Sequence, residues 1–250
     1  MTTTGTLEGF RGFVEETRFP EDAPPENWQG RSADYLLGET LEAGFQHGNL
    51  PLHLMVPELI SDEVRRELID HVPDEFGDQL WFIVDAADRI DIDLQAAVAR
   101  RFTHHVRLDL PYDGTFVQLD RYAVVAGPHI RVHNKNGIGD DYMGDGNSVD
   151  LRTNPNYVLT RLGNRLVRSL DPDQFDSVSG PPTMTSLEEV VPIDDAAADY
   201  LLALSFVSQA HLRSSLAEIA DFTQAKLEHR QTHGKENDIS FAEWREQQSN

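Results

Sequence analysis

The sequence predicts an α+β chain, mostly helical, with a small central antiparallel β-meander and a long C-terminal helix. Three observations point there. Apolar residues recur with a period near 3.6 through much of the chain, the mark of amphipathic helices. Between 103 and 134 that period changes to two, the mark of strands. From 195 onward an apolar run begins that is too long for any strand. The chain has 250 residues, and 39% are hydrophobic, enough to build a sizeable core.

Taken in order, Leu7, Phe10 and Val14 lie at helical spacing, and the Pro-rich stretch 18–30 ends that helix. Residues 1–30 therefore read as a helix and an arm. Ser32 reads as the cap of a helix carrying Tyr35, Leu36, Leu41 and Phe45, and residues 50–57 as extended. Ser61 opens a helix with Val64, Leu68 and Val72 that Pro73 is expected to end. The run "QLWFIVD" (79–85) is short, apolar and rich in aromatic and β-branched residues, so it reads as a buried strand. Asp93 caps a helix over 91–102. In "THHVRLDL" (103–110), Val106, Leu108 and Leu110 alternate with polar residues. With "TFVQLDRYAVVAG" (115–127) and "HIRVHN" (129–134) they make the meander, turning at "PYDG". Asn154-Pro155 then opens a helix with the stripe Val158, Leu159, Leu162, Leu166 and Leu170. The core is thus expected over 31–170 and a linker over 171–193.

A C-terminal unit, 194–250, follows. Its helix reads as one rod about 50 Å long at 1.5 Å per residue. The first half is apolar almost all round, so it belongs inside a core or between subunits. In the tail, Ser240 and Glu243 form a capping box, with Ile239 and Trp244 placed as a hydrophobic staple. Ile239, Phe241 and Trp244 make the short helix want a surface to dock on, its own body or a neighbour's.

Charge defines the solvent. The formal net charge is -22, with 43 acidic residues. Lysine is confined to Lys135, Lys226 and Lys235, so arginine carries most of the positive charge. Carboxylates at this density repel one another in dilute buffer, and strong salt screens that cost. The composition is that of a salt-adapted protein in a halophilic host. Residues 100–168 depart from it, with ten Arg or Lys against seven Asp or Glu.

Composition also excludes. No cysteine is present, so disulfides, zinc ribbons, iron–sulfur clusters and thiol nucleophiles are ruled out. No stretch approaches eighteen apolar residues, and "MTTTGTLEGFRGF" has neither a basic nor an apolar leader region, so no membrane span or signal peptide is expected. The expected location is a virion or the cytoplasm.

The stretch 127–156 gathers His129, His133 and several aspartates among glycines. On a strand, residues four apart sit about 13 Å apart, too far to share one zinc. An EF-hand count from Asp141 fits at Asp145 and Gly146. It fails at Met143 and at Arg152, where the bidentate glutamate belongs. Asp141, Asp145 and Asp150, with Asp140, remain weak candidates for an irregular cation site. The phosphate-loop signature is missing. No hydrolase motif surrounds His104-His105, and no cofactor or catalytic residue is assigned.

Two surfaces stand out for partners. Arg161, Arg165 and Arg168 lie at i, i+4 and i+7 on one helix, as forks for carboxylates or phosphates. The plainer reading is salt pairing within the chain, worth little. Ile239, Phe241 and Trp244 are the second. In layout, "NPNYVLTRLGNRLVRSLD", the helix from 195 and the C-terminal hook resemble the head–tail neck (adaptor or connector) proteins of tailed viruses, here of a haloarchaeal host. That resemblance implies a non-catalytic virion protein in a homo-oligomeric ring, touching other structural proteins, with nucleic acid a secondary partner. The competing expectation is a cytoplasmic metal-assisted hydrolase using His105, His129 or His133 with loop aspartates.

Overall fold

The computed structural model describes residues 5–18, 35, 38, 62–133, 148–170, 191–234 and 238–248, with the backbone alone for 62–70. They are mostly helical. Eight α-helices accompany one two-stranded antiparallel sheet: α1 Leu7–Thr17, α2 Asp62–Arg89, α3 Leu94–Val106, α4 Phe116–Ala126, β1 Arg131–His133, β2 Ser148–Asp150, α5 Pro155–Leu170, α6 Ile193–Val207, α7 Leu216–His233 and α8 Phe241–Gln248.

Local chemistry starts several of these as expected. Thr6 caps α1 by accepting from Gly9 N at 2.9 Å, and Asp93 caps α3 through Ala96 N at 2.9 Å. Asn154 receives Tyr157 N at 3.1 Å ahead of α5. The helix around Tyr35 falls largely outside the described residues, as do the extended 50–57 and most of the linker.

The meander is not formed. Residues 79–85 continue α2, which runs through Pro73 to Arg89. An interior proline costs a helix about 3 kcal/mol. The stripe Val72, Phe76, Leu80, Ile83, Val84 and Ala87, all buried, offsets it. Residues 103–106 continue α3, which ends where Arg107 turns left-handed (φ 62) and donates to Thr103 O at 2.9 Å. Leu108 and Leu110 belong to no strand and face solvent: they are 53% and 43% exposed. Residues 116–126 form α4, capped by Thr115, whose side chain accepts from Gln118 N. Only "HIRVHN" supplies a strand. Its partner is β2, with Val132 opposite Val149. Residues 134–147 join the two.

The expected 50 Å rod is two helices. After Val207 the backbone widens into a π segment, Ser208–Leu212, and Arg213 turns left-handed (φ 54). Ser215 and Glu218 then form a full capping box that starts α7. The first piece, α6, is the centre of the fold. It packs against α3, α4 and α5, and every residue from Ala196 to Ser205 is buried. Its all-round apolar character is thus used up inside this chain. α7 packs on α2, where Gly77 leaves room for Thr223: a Cβ there would lie 2.1 Å from Thr223 Oγ1. α1, the expected N-terminal helix, packs on α2 with Phe10 and Val14 fully buried.

Candidate interaction surface

The surface begins with a surplus of apolar residues on α4. Phe116, Leu119, Tyr122, Ala123 and Ala126 fill its inner face. Val117, Val124 and Val125 have no room there and stand 55%, 52% and 46% exposed. At about 100° per residue, Val117, Arg121, Val124 and Val125 fall within one arc of the helix. The preceding segment is tied to the same helix. Tyr122 Oη donates to Leu110 O at 3.0 Å and to Pro111 O at 2.8 Å, and Gln118 Nε2 donates to Pro111 O at 2.7 Å. Leu108 and Leu110, in that tethered segment, are exposed as well. Among the described residues the other large exposed hydrophobic is Tyr35, whose ring stacks on Phe82. Scattered apolar side chains are ordinary, whereas a contiguous group marks a contact surface.

Beneath the patch the structure is tied by a buried carboxyl. Asp120 accepts from Ser205 Oγ at 2.5 Å, Leu216 N at 3.0 Å and Ala217 N at 3.4 Å. It caps the first turn of α7 from another helix, where the N-terminal amides favour an anion. Burial pushes its pKa up, and those donors pull partly against it. Gln209 Nε2 adds a bond to Asp120 O at 2.9 Å. Between α4 and the start of α7 runs a shallow groove of about 410 Å³, with Val117, Val124, Gln209 and Ala217 on its walls. Arg121 projects from the same arc and makes no ion pair among the described residues.

Comparison with known protein families, with curated proteins and with solved structures finds no match for this chain.

The residues singled out in the sequence lie elsewhere. Arg161 is 2% exposed and carries its guanidinium over the Tyr157 ring, 5.9 Å from the centroid. Arg161, Arg165 and Arg168 each have partners within the chain. The guanidinium row is therefore not an open stripe. α5 is buried on more faces than its leucines alone require. In the tail, Phe241 and Trp244 pack on Phe222 of α7, with ring centroids 5.1 and 5.9 Å away, and Ile239 closes the cluster. Docking on the chain's own body is the alternative adopted. The capping box forms as read, Ser240 N donating to Glu243 Oε2 at 3.0 Å and Glu243 N to Ser240 Oγ at 3.2 Å.

Asp141 and Asp145 lie outside the described residues. Asp150 uses its carboxylate on the turn after β2, accepting from Arg152 N and Thr153 N at 3.0 Å. Among the described residues no three His, Asp or Glu side chains come together to hold an ion. His104 and His105 sit on the last turn of α3, not on a strand. His105 Nε2 lies 2.8 Å from Asp199 Oδ1, and Arg101 grips the same carboxylate with two bonds of 2.7 Å. Arg100 reaches Asp194 at 2.6 Å and Asp195 at 2.8 Å. Asp194, Asp195 and Asp199 thus tie the start of α6 to α3. This is an interhelical clasp.

The α4 surface was missed because its residues read as a strand. Thr115-x-x-Gln118 has the capping-box pattern and signals the helix. With 3.6 residues per turn, Val117, Val124 and Val125 then fall opposite the buried face.

Proposed function

We propose that this chain is a non-catalytic assembly protein of a salt-adapted system, working through contacts with its own copies and with other structural proteins. The observation that carries the reading is a set of five roughly half-exposed aliphatic side chains, three on one arc of α4 and two on the segment before it, in a chain of net charge -22. A surface selected for repulsion and hydration has no use for such a patch unless something covers it. The virion is the setting we propose, from the resemblance in layout to neck proteins. α6 spends its apolar surface within the monomer, so the contacts fall to the outside of the helical body.

The test is sedimentation of the full chain in molar KCl across a range of concentrations. The reading expects mass above the 28.2 kDa of one chain. A particle that stays at one chain throughout overturns the homo-oligomeric reading.

A further inference from the structure

We propose that the α4 ridge of one copy seats in the groove beside α8 of a second copy, so that copies join head to tail. This rests on the assembly reading above and names its contact.

The groove is the larger of the two concavities that bear on the contact, about 730 Å³, and opens widely to solvent. One wall is the last two turns of α7, where His229 and His233 stack with centroids 4.2 Å apart. The other is the outer face of α8 and its lead-in, with Ile239, Glu243 and Glu246. Asp238 also lines it, bonded to Arg230 at 2.7 Å. Among the described residues its lining has three carboxylates, one aliphatic side chain and neither lysine nor arginine. The ridge, which is the α4 wall of the shallow groove toward α7, offers the opposite charge: exposed Arg121 between Val117 and Val124. A guanidinium forks well onto carboxylates, and the valines cover apolar area while it does so.

Two further points select a second copy in this arrangement. A symmetric contact of α4 on α4 would set Arg121 against Arg121, a like-charge pair. The two features also sit at different ends of α7. Asp120 fixes the ridge at Leu216 and Ala217, while His229 and His233 stand roughly 20 Å further along at 1.5 Å per residue. A surface and its complement at separate places make a heterologous contact. Such contacts either close into a ring or run on as a filament. Five aliphatic side chains fall short of the roughly 800 Å² per side of a standard interface. The contact is therefore weak alone and gains from closure. Each copy carries net charge -22, so copies repel until salt screens them.

Light scattering on the full chain in about 3 M KCl, where the Debye length is under about 3 Å, tests this. The wild type should oligomerise. Val124→Asp and Arg121→Glu, which break the ridge, should be monomeric. Glu246→Arg, which breaks the groove, should be monomeric too. Gln247→Arg, at an exposed site in the same lining, serves as a second groove variant should Glu246→Arg disturb α8. Val124→Asp keeps a working groove and Glu246→Arg a working ridge, so mixing the two at high protein concentration, where a single unclosed contact is populated, should give a species of two chains. Groove variants that oligomerise like the wild type, or a mixture that stays monomeric, overturn the head-to-tail contact. If the wild type assembles and Val124→Asp does too, this contact falls and the assembly reading stands. A wild type that never assembles overturns both.

Discussion

Asp199 shows what burial does to a charge in this protein. Burial alone would raise its pKa, but hydrogen bonds from His105 and Arg101, together with their charge, hold it below the ordinary carboxylate value of 3.8. A carboxyl whose folded value lies below its unfolded one contributes stability that is complete above 3.8. That contribution is lost as pH falls through the folded value. Asp199→Asn should therefore cost about 3 kcal/mol near neutrality, since it leaves Arg101 facing a neutral amide. The difference between variant and wild type should shrink as pH drops below 3.8. Denaturant unfolding of both proteins across that range checks this, and a gap that stays constant with pH would contradict it. Lys226 makes the converse case. It is buried between Asp74 and Asp78, and their charges overcome the desolvation that would lower its pKa. Such cross-chain pairing was not legible in the sequence. Partners 94 or more positions apart carry no local signature, and in a chain with 43 acidic residues every cation has candidates.

Among the elements, those with strong end signals were read well. Asp93, Asn154 and the Ser240–Glu243 box each start a helix as expected, because a side chain meeting amides two or three residues away is set by local sequence. Two equal signals, Thr115 with Gln118 and Ser215 with Glu218, were passed over, and a strand and an unbroken rod were read in their place. Short runs of valine, aromatics and leucine suit either a strand or a buried helix, and periodicity cannot separate them. The tail allows a direct test. Phe241 and Trp244 form with Phe222 a small cluster apart from the main core. Trp244→Ala should weaken that docking by about 3 kcal/mol. Amide hydrogen exchange should speed up across 241–248 and leave α6 unchanged. Equal loss of protection in α6 would show that the tail is part of the main cooperative unit.

For the whole molecule, charge and core act on different scales. The core is continuous from α1 to the first half of α7. No helix among the described residues is long and apolar enough to cross a membrane. Net charge acts through solvent. With -22 spread over one chain, self-repulsion should lower the thermal midpoint in dilute buffer, and screening should restore it. The midpoint is expected to climb between about 0.2 M and about 3 M KCl as the Debye length contracts from roughly 7 to under 3 Å. A flat profile would mean that repulsion among the carboxylates left over from pairs such as those of Arg18 with Asp85 and Asp88 costs the fold little.

By itself the sequence determined the strongly acidic charge, the helical majority, several helix starts and the absence of cysteine. Each follows from composition or from contacts within a few residues. Tertiary structure alone decided that 79–85 is helical, that α6 is the centre of one fold, and that Arg161 is buried. It also decided that α4 carries more valines than its inner face can cover. Which face of a helix is buried depends on what packs against it, and those partners come from distant parts of the chain.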